Sequence, residues 1–218
     1  MIGLALALPP RRRLTILCLG AHSDDIEIGC GGTILKLLGA RPGTRVHWVL
    51  FSAAGRRADE ARRSASRFLR TAGSAKVRLH EFRDGFFPYE GAAIKETLEA
   101  LKPVAPDLVF THHSRDRHQD HRLVSELTWN TFRDHLILEY EIPKYDADLG
   151  SPNVFVPLSH NHRRRKIAVL MENFPSQRRK RWFTPATFEA VMRLRGIECG
   201  TPLGYAEGFH ARKLMVKP

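Results

Sequence analysis

Leu14-Thr15-Ile16-Leu17-Cys18-Leu19-Gly20-Ala21-His22-Ser23-Asp24-Asp25 passes from an unbroken apolar run into a polar turn. A run this short, without alternation and closed by glycine, reads as a strand buried on both faces, the habit of parallel sheets. Beyond the turn, Gly29-Cys30-Gly31-Gly32 leads into Thr33 to Leu38, the body of a helix that begins near Gly29 and closes at Gly39 and Pro42. The same alternation repeats downstream. Val46 to Phe51 reads as a second strand, and Arg56 to Thr71 as a helix with Ala58, Ala61, Ala65, Phe68 and Leu69 on one face and arginines on the other. Val77 to Phe82 is a third strand, Ala92 to Leu101 a helix, and Asp107 to Thr111 a fourth strand.

Strands separated by helices of this length imply right-handed crossovers and a parallel sheet covered on both faces. The predicted fold is therefore α/β, a Rossmann-like three-layer αβα arrangement with a mostly parallel sheet. Past Phe132 the pattern loosens. Leu136 to Ile142 reads as another strand, Pro143 to Pro157 as a loop, and Lys166 to Phe174 and Thr187 to Leu194 as helices. No repeat or linker interrupts the chain, so residues 14–218 are expected to form a single domain behind a flexible basic N-terminus, residues 1–13.

Hydrophobic residues make up 43% of the chain and charged residues 27%, ordinary values for a globular protein. The charge balance is not ordinary: 35 Lys and Arg against 23 Asp and Glu leave a formal net charge of +12. The basic residues gather in runs at Arg11-Arg12-Arg13, Arg163 to Lys166 and Arg178 to Arg181. A basic surface points to an anionic partner, such as a phosphorylated sugar, a nucleotide-sugar, a membrane face or nucleic acid, or else to a solvated arginine-rich surface. Three irregularly spaced cysteines, Cys18, Cys30 and Cys199, argue against a disulfide framework and fit a reducing compartment. Met1 to Leu8 is too short to span a bilayer, and its charges follow the apolar stretch, the wrong order for a secretory signal. The expected location is cytoplasmic, with peripheral membrane contact and self-association both compatible with the sequence.

Open parallel sheets bind ligands at the carboxyl ends of their strands, where strand order reverses. Two polar clusters fall there: Ala21-His22-Ser23-Asp24-Asp25 after the first strand, and His118-Gln119-Asp120-His121-Arg122 after the fourth. Hydrolytic zinc takes three His and carboxylate ligands and keeps one position open. His22, Asp25 and His121 supply that set, for zinc or another divalent metal. Asp24 is then a second carboxylate able to accept a proton from water. His118 lies one helical turn before His121, and a cationic His118, charged through its neighbour Asp120, would stabilise an oxyanion or protonate a departing amine. His112 and His113 are second-ranked alternative ligands. Taken singly, such residues also serve helix caps and turns; two clusters, each after a buried strand, favour a metal site.

Other classes fit less well. The glycines at 20 and 29–32 could belong to a nucleotide loop of a methyltransferase or dehydrogenase, but the acidic segment between them breaks the dinucleotide spacing. A module for anionic polymers would explain the basic runs and leave the His and Asp clusters without a use.

Cys18 to Leu35, with Ala21-His22-Ser23-Asp24-Asp25 and Gly29-Cys30-Gly31-Gly32-Thr33, resembles the opening signature of the PIG-L/LmbE-like deacetylases. His118-Gln119-Asp120-His121 resembles that family's later His-Pro-Asp-His motif, and the likeness covers about the first 135 residues. It implies a zinc-dependent hydrolase that removes the acetyl group from an N-acetylated amino sugar, with no nucleic-acid partner expected. It assigns His22, Asp25 and His121 to the metal, Asp24 to the general base and His118 to oxyanion or acid. It also makes Arg57 and Asp84 substrate-binding residues. Two positions depart from the family pattern. Ser23 replaces a proline, which should loosen the turn, and Ile26 replaces a glutamate, a change that Glu27 would offset only if the turn differed.

Overall fold

The computed structural model describes residues 3, 5, 6 and 12–215. Most of the expected flexible segment 1–13, Arg11 included, therefore lies outside the described residues. The chain begins its order with strand β1 (Thr15–His22), helix α1 (Asp25–Ala40), β2 (Arg45–Ser52), α2 (Gly55–Phe68) and β3 (Ser74–Leu79). It continues with α3 (Gly91–Glu99), β4 (Leu108–His112), α4 (Gln119–Thr131) and β5 (Leu136–Tyr140). Strand β6 (Val154–Pro157), α5 (His160–Asn173), α6 (Pro185–Glu198) and β7 (Ala206–His210) complete it. The seven strands make one sheet in the order β3-β2-β1-β4-β5-β7-β6. Strands β1 to β5 pair in parallel, and β7 runs antiparallel to both its neighbours. The fold is a three-layer α/β sandwich with a mostly parallel sheet.

Alternation along β1 divides the interior. Ile16 and Cys18 face one layer with Trp48, Leu50 and Phe110, packed by α1, α2 and α5. Leu17, Leu19 and Ala21 face the other, with Val49, Phe51 and Val109, packed by α3 and α4. Truncating a side chain such as Leu17, fully buried on that second face, costs about 2–5 kcal/mol. All three cysteines are free, and Cys18 and Cys30 lie in the apolar core.

Helix α1 starts at Asp25, earlier than the glycine run suggests, and the glycines lie inside it as packing residues. A Cβ at Gly29 would stand 2.1 Å from the Tyr140 ring, one at Gly31 2.7 Å from Phe68, and one at Gly32 2.6 Å from Leu158. Their smallness lets α1 press onto its neighbours, which leaves no glycine loop for a nucleotide. The helix runs unbroken to Ala40 and meets buried charges from the far end of the chain. The Glu207 carboxylate of β7 accepts the N–H groups of Gly32 (2.9 Å) and Thr33 (2.6 Å), while buried Lys166 of α5 donates to Glu207 and to the Ile28 carbonyl, both at 2.6 Å.

Three expectations change. The third strand spans Ser74–Leu79 and not 77–82, because its register follows β2 from Arg45↔Ser74 to Leu50↔Leu79, and as an edge strand it is exposed on both faces. The loop expected over 143–157 ends in β6, and β7 was not foreseen; both are short and add to the sheet beyond β5. Helices α5 and α6 start before the apolar residues that signal them, each opened by a threonine or serine cap, Ser159 and Thr184. Among the described residues no helix is long and apolar enough to cross a membrane.

Candidate metal and substrate site

Strand order reverses between β1 and β4. Their pairing ends at Cys18↔Phe110, and the residues beyond it, up to His22 and His112, open a crevice. His22 is the last residue of β1, and Asp25 the first of α1. His121 sits in the first turn of α4. The fold thus brings two segments far apart in the chain to one point.

Three donor atoms meet there. His22 Nδ1 is 3.1 Å from His121 Nε2 and 3.3 Å from Asp25 Oδ2, and His121 Nε2 is 3.6 Å from that same oxygen. Atoms bonded to tetrahedral zinc at 2.0–2.2 Å stand about 3.3–3.6 Å apart. The outer ring nitrogens are held by carboxylates: His121 Nδ1 lies 2.9 Å from Asp116, and His22 Nε2 3.2 Å from Asp120 and 3.0 Å from Asp84. A carboxylate on the far nitrogen fixes the tautomer of a metal-binding imidazole and leaves its near lone pair free. By spacing and by donor chemistry, the residues present fit a divalent ion.

The carboxylates draw positive charge inward. Burial works against a proton on His22, but Asp25 first, then Asp120 and Asp84, hold it well above the ordinary imidazole value. Burial and neighbouring His112 push His121 down to about 3. Asp25, although buried, is held well below the carboxylate range by His121, His112 and His22. The hydrogen bond from His22 sets Asp84 at about 2.

Asp24 occupies the N-cap position of α1 but makes no capping hydrogen bond. Its Oδ1 instead takes Arg57 Nη2 at 2.5 Å, and Arg57 Nη1 donates to Ser176 Oγ (3.3 Å), which is held in turn by Glu60. Arg57, expected to face a substrate, thus reaches Asp24. Asp84 stands at the mouth, with its side chain 74% exposed.

His118 caps α4, and its Nδ1 accepts the Asp120 N–H at 3.3 Å. That places the ring proton on Nε2. Two expectations are corrected here. The Asp120 carboxylate does not touch His118; it accepts N–H groups of Gly85 (2.7 Å) and Phe87 (3.2 Å) and meets His22. Burial, then the His22 charge, push His118 below its ordinary value, against the opposing pull of Asp120, Asp25 and Asp116, in the direction away from an imidazolium.

His112 stacks on His121 at 3.9 Å, but its Nε2 accepts the Ala21 N–H at 2.9 Å. The same nitrogen lies 3.2 Å from Asp25 Oδ2, so Asp25, His112 and His121 form a second set of donors close enough together for one ion. His113 points to the opposite side, onto Glu139 (2.8 Å) and against His210. Ile26 is buried in the apolar core. Glu27 does not replace the missing acid: it is wholly buried beside Ser64 of α2, both oxygens lack a hydrogen-bond partner, and burial raises its carboxyl to about 8. Ser23 is buried, with its hydroxyl 3.5 Å from the Ser52 carbonyl.

Asp116 escaped the sequence reading. Besides His121, it accepts the His118 N–H (2.8 Å) and Lys144 Nζ (3.0 Å), and Lys144 also pairs with Asp148. The signal available was an acid one turn ahead of the helix that bears His121; the lysine, in a distant loop, left none.

A doubly wound α/β sheet with a buried His-and-carboxylate pocket at its switch point defines a class of protein suited to metal-assisted chemistry. Residues 17–132 match the PIG-L family, described as GlcNAc-PI de-N-acetylase, and this chain belongs to that family. It is 27% identical over 179 residues to the uncharacterized deacetylase YaiS of Escherichia coli strain K12, covering 78% of this chain and 95% of YaiS. Among solved structures it is similar to N,N'-diacetylchitobiose deacetylase from Pyrococcus horikoshii, complexed with its inhibitor MPG. That likeness has a TM-score of 0.68 and 23% identity over 90% of this chain and 83% of the other. It is also similar to GalB, the 4-carboxy-2-hydroxymuconate hydratase of Pseudomonas putida KT2440, with a TM-score of 0.71 and 18% identity over 94% and 98%. One fold carrying a deacetylase and a hydratase puts the weight of any functional reading on the pocket itself.

Proposed function

We propose that this protein is a metal-dependent N-deacetylase, with zinc as its ion, that hydrolyses the acetamido group of an N-acetylated amino sugar. The observation that carries the reading is the convergence of His22 Nδ1, Asp25 Oδ2 and His121 Nε2 within 3.1–3.6 Å of one another, with a carboxylate behind each imidazole. An ion held by these three residues supplies Lewis acidity and makes water reactive near neutral pH. Asp24 Oδ1 is bonded to Arg57, which leaves Oδ2 to take a proton from the attacking water. His118 Nε2–H donates to the acetyl oxygen as negative charge grows there, and a neutral imidazole suffices for that task. As the C–N bond breaks, Asp24 returns the proton to the amine nitrogen, giving acetate and the free amino sugar. Asp84, exposed beside His22, accepts hydrogen bonds from sugar hydroxyls.

Metal analysis of the purified protein, with acetate release measured over a panel of N-acetylated sugars, tests this. The expected result is about one zinc per chain and acetate that disappears with a chelator and returns with the ion. A fully loaded protein that frees no acetate from any of them overturns the proposal.

A further inference from the structure

The two basic runs of the C-terminal half have different surroundings. In the first, Arg163 pairs with Glu189, Arg165 donates to the Arg67 carbonyl (3.1 Å), and Lys166 is buried on Glu207. In the second, Arg178 donates to the Met171 carbonyl, but Arg179, Lys180 and Arg181 are exposed, and none pairs with an acid among the described residues. This second run stands next to the pocket. Just ahead of it, Ser176 bonds Arg57, which holds Asp24. Within it, the Arg181 N–H donates to the Tyr145 hydroxyl at 3.2 Å, one residue after Lys144, whose ammonium holds Asp116 behind His121. Loops 143–150 and 175–183 are thus joined to each other, and each is tied to a residue of the pocket.

We infer that this joined wall is a subsite for an anionic group, phosphate or carboxylate, carried by the substrate, and that Lys180 and Arg181 bind it. The inference rests on the deacetylase reading and names the class of sugar derivative. Unpaired cations close together repel one another, and an anion between them removes that repulsion and gains charge-assisted hydrogen bonds. The Tyr145 ring, 64% exposed, and the Trp182 ring, 5.4 Å from Lys180 Nζ, add flat apolar surface beside the cations. Asp84 and the basic run give the mouth two signs of charge: an acid for the hydroxyls of the acetamido sugar, and bases for the charged substituent.

The test compares acetate release from N-acetylglucosamine 1-phosphate, a carboxymethyl glycoside of N-acetylglucosamine, and the neutral methyl glycoside. The expected kcat/KM favours one or both anions by at least about tenfold, and the preference falls as salt rises. Which anion wins separates phosphate from carboxylate. Lys180→Ala with Arg181→Ala brings the anionic-to-neutral ratio toward one, while the charge-conserving Lys180→Arg with Arg181→Lys keeps it. Arg164→Ala, on the exposed part of the other run, leaves the ratio as it was. A wild-type ratio near one, or a ratio that survives the double alanine variant, overturns the subsite. If no substrate releases acetate, the deacetylase reading fails separately, and calorimetric binding of the same three sugars to the same variants judges the subsite by the same ratio.

Discussion

The part of the chain up to β5 and the part after it contribute to the pocket in different ways. Every candidate ligand, and both groups proposed to move protons or stabilise charge, lie between His22 and His121, where parallel strands β1 and β4 pass into the helices that follow them. The later part contributes side chains that touch what supports those residues: Lys144 on Asp116, Ser176 on Arg57, Glu207 on α1. The first part sets what chemistry is available, and the second sets how firmly it is held and what is let in.

If this division is right, the effect of a substitution falls with distance from the donor trio. Asp25→Ala removes an oxygen 3.3 Å from His22 and should abolish both metal retention and activity, a loss above about 10³-fold in acetate release. Asp24→Asn should lower turnover by about 10²–10⁴-fold while metal content, read by atomic absorption, stays at the wild-type level. Retained turnover in that variant would remove Asp24 from the base role. Lys144→Met tests the reach of the second part: Asp116 loses an ammonium at 3.0 Å, and metal affinity should fall about 10- to 100-fold. Competition with a coloured chelator measures it, and unchanged affinity would confine the loop to binding substrate.

The smallest effect concerns acid stability. Burial pushes the Glu139 carboxyl up, but hydrogen bonds from His113, the Ser114 N–H and Trp129, with the charge of Arg212, outweigh it and hold it at about 2. A folded value below the unfolded 4.5 means stability that is complete above pH 4.5 and is lost as pH falls toward 2. Glu139→Gln should flatten the fall of the urea midpoint across that window, and an unchanged slope would show that Glu139 does not govern it.

The same division explains which parts of the fold and pocket are legible in the sequence. Buried parallel strands advertise themselves as apolar runs, so β1, β2 and β4 and the polar turns after them were legible, and with them His22, Asp24, Asp25, His118 and His121. Strand β3 was misplaced by a few residues because an exposed edge strand carries no such run; Lys76, Val77 and Arg78 alternate without a buried face. Strands β6 and β7 are short and paired with partners remote in sequence, where local pattern is silent. The partner of Asp120 was misread for a similar reason. Adjacency suggests His118, but the Asp120 carboxylate reaches across to His22 of β1 and to the Gly85 and Phe87 N–H groups after β3. Asp116 and Lys144 show the remaining limit, since a support contact depends on loop shape and not on spacing.

The carboxylate that reaches α1 from β7 has a bearing on how the molecule is assembled. Glu207 satisfies amides 175 and 174 residues earlier in the chain, in the same helix that presents Asp25. These contacts, and that of Lys166 with the Ile28 carbonyl, come only with α5 and β7. The first half can therefore collapse early around its apolar strands, but the helix that presents Asp25 gains these buried contacts only once β7 has been made.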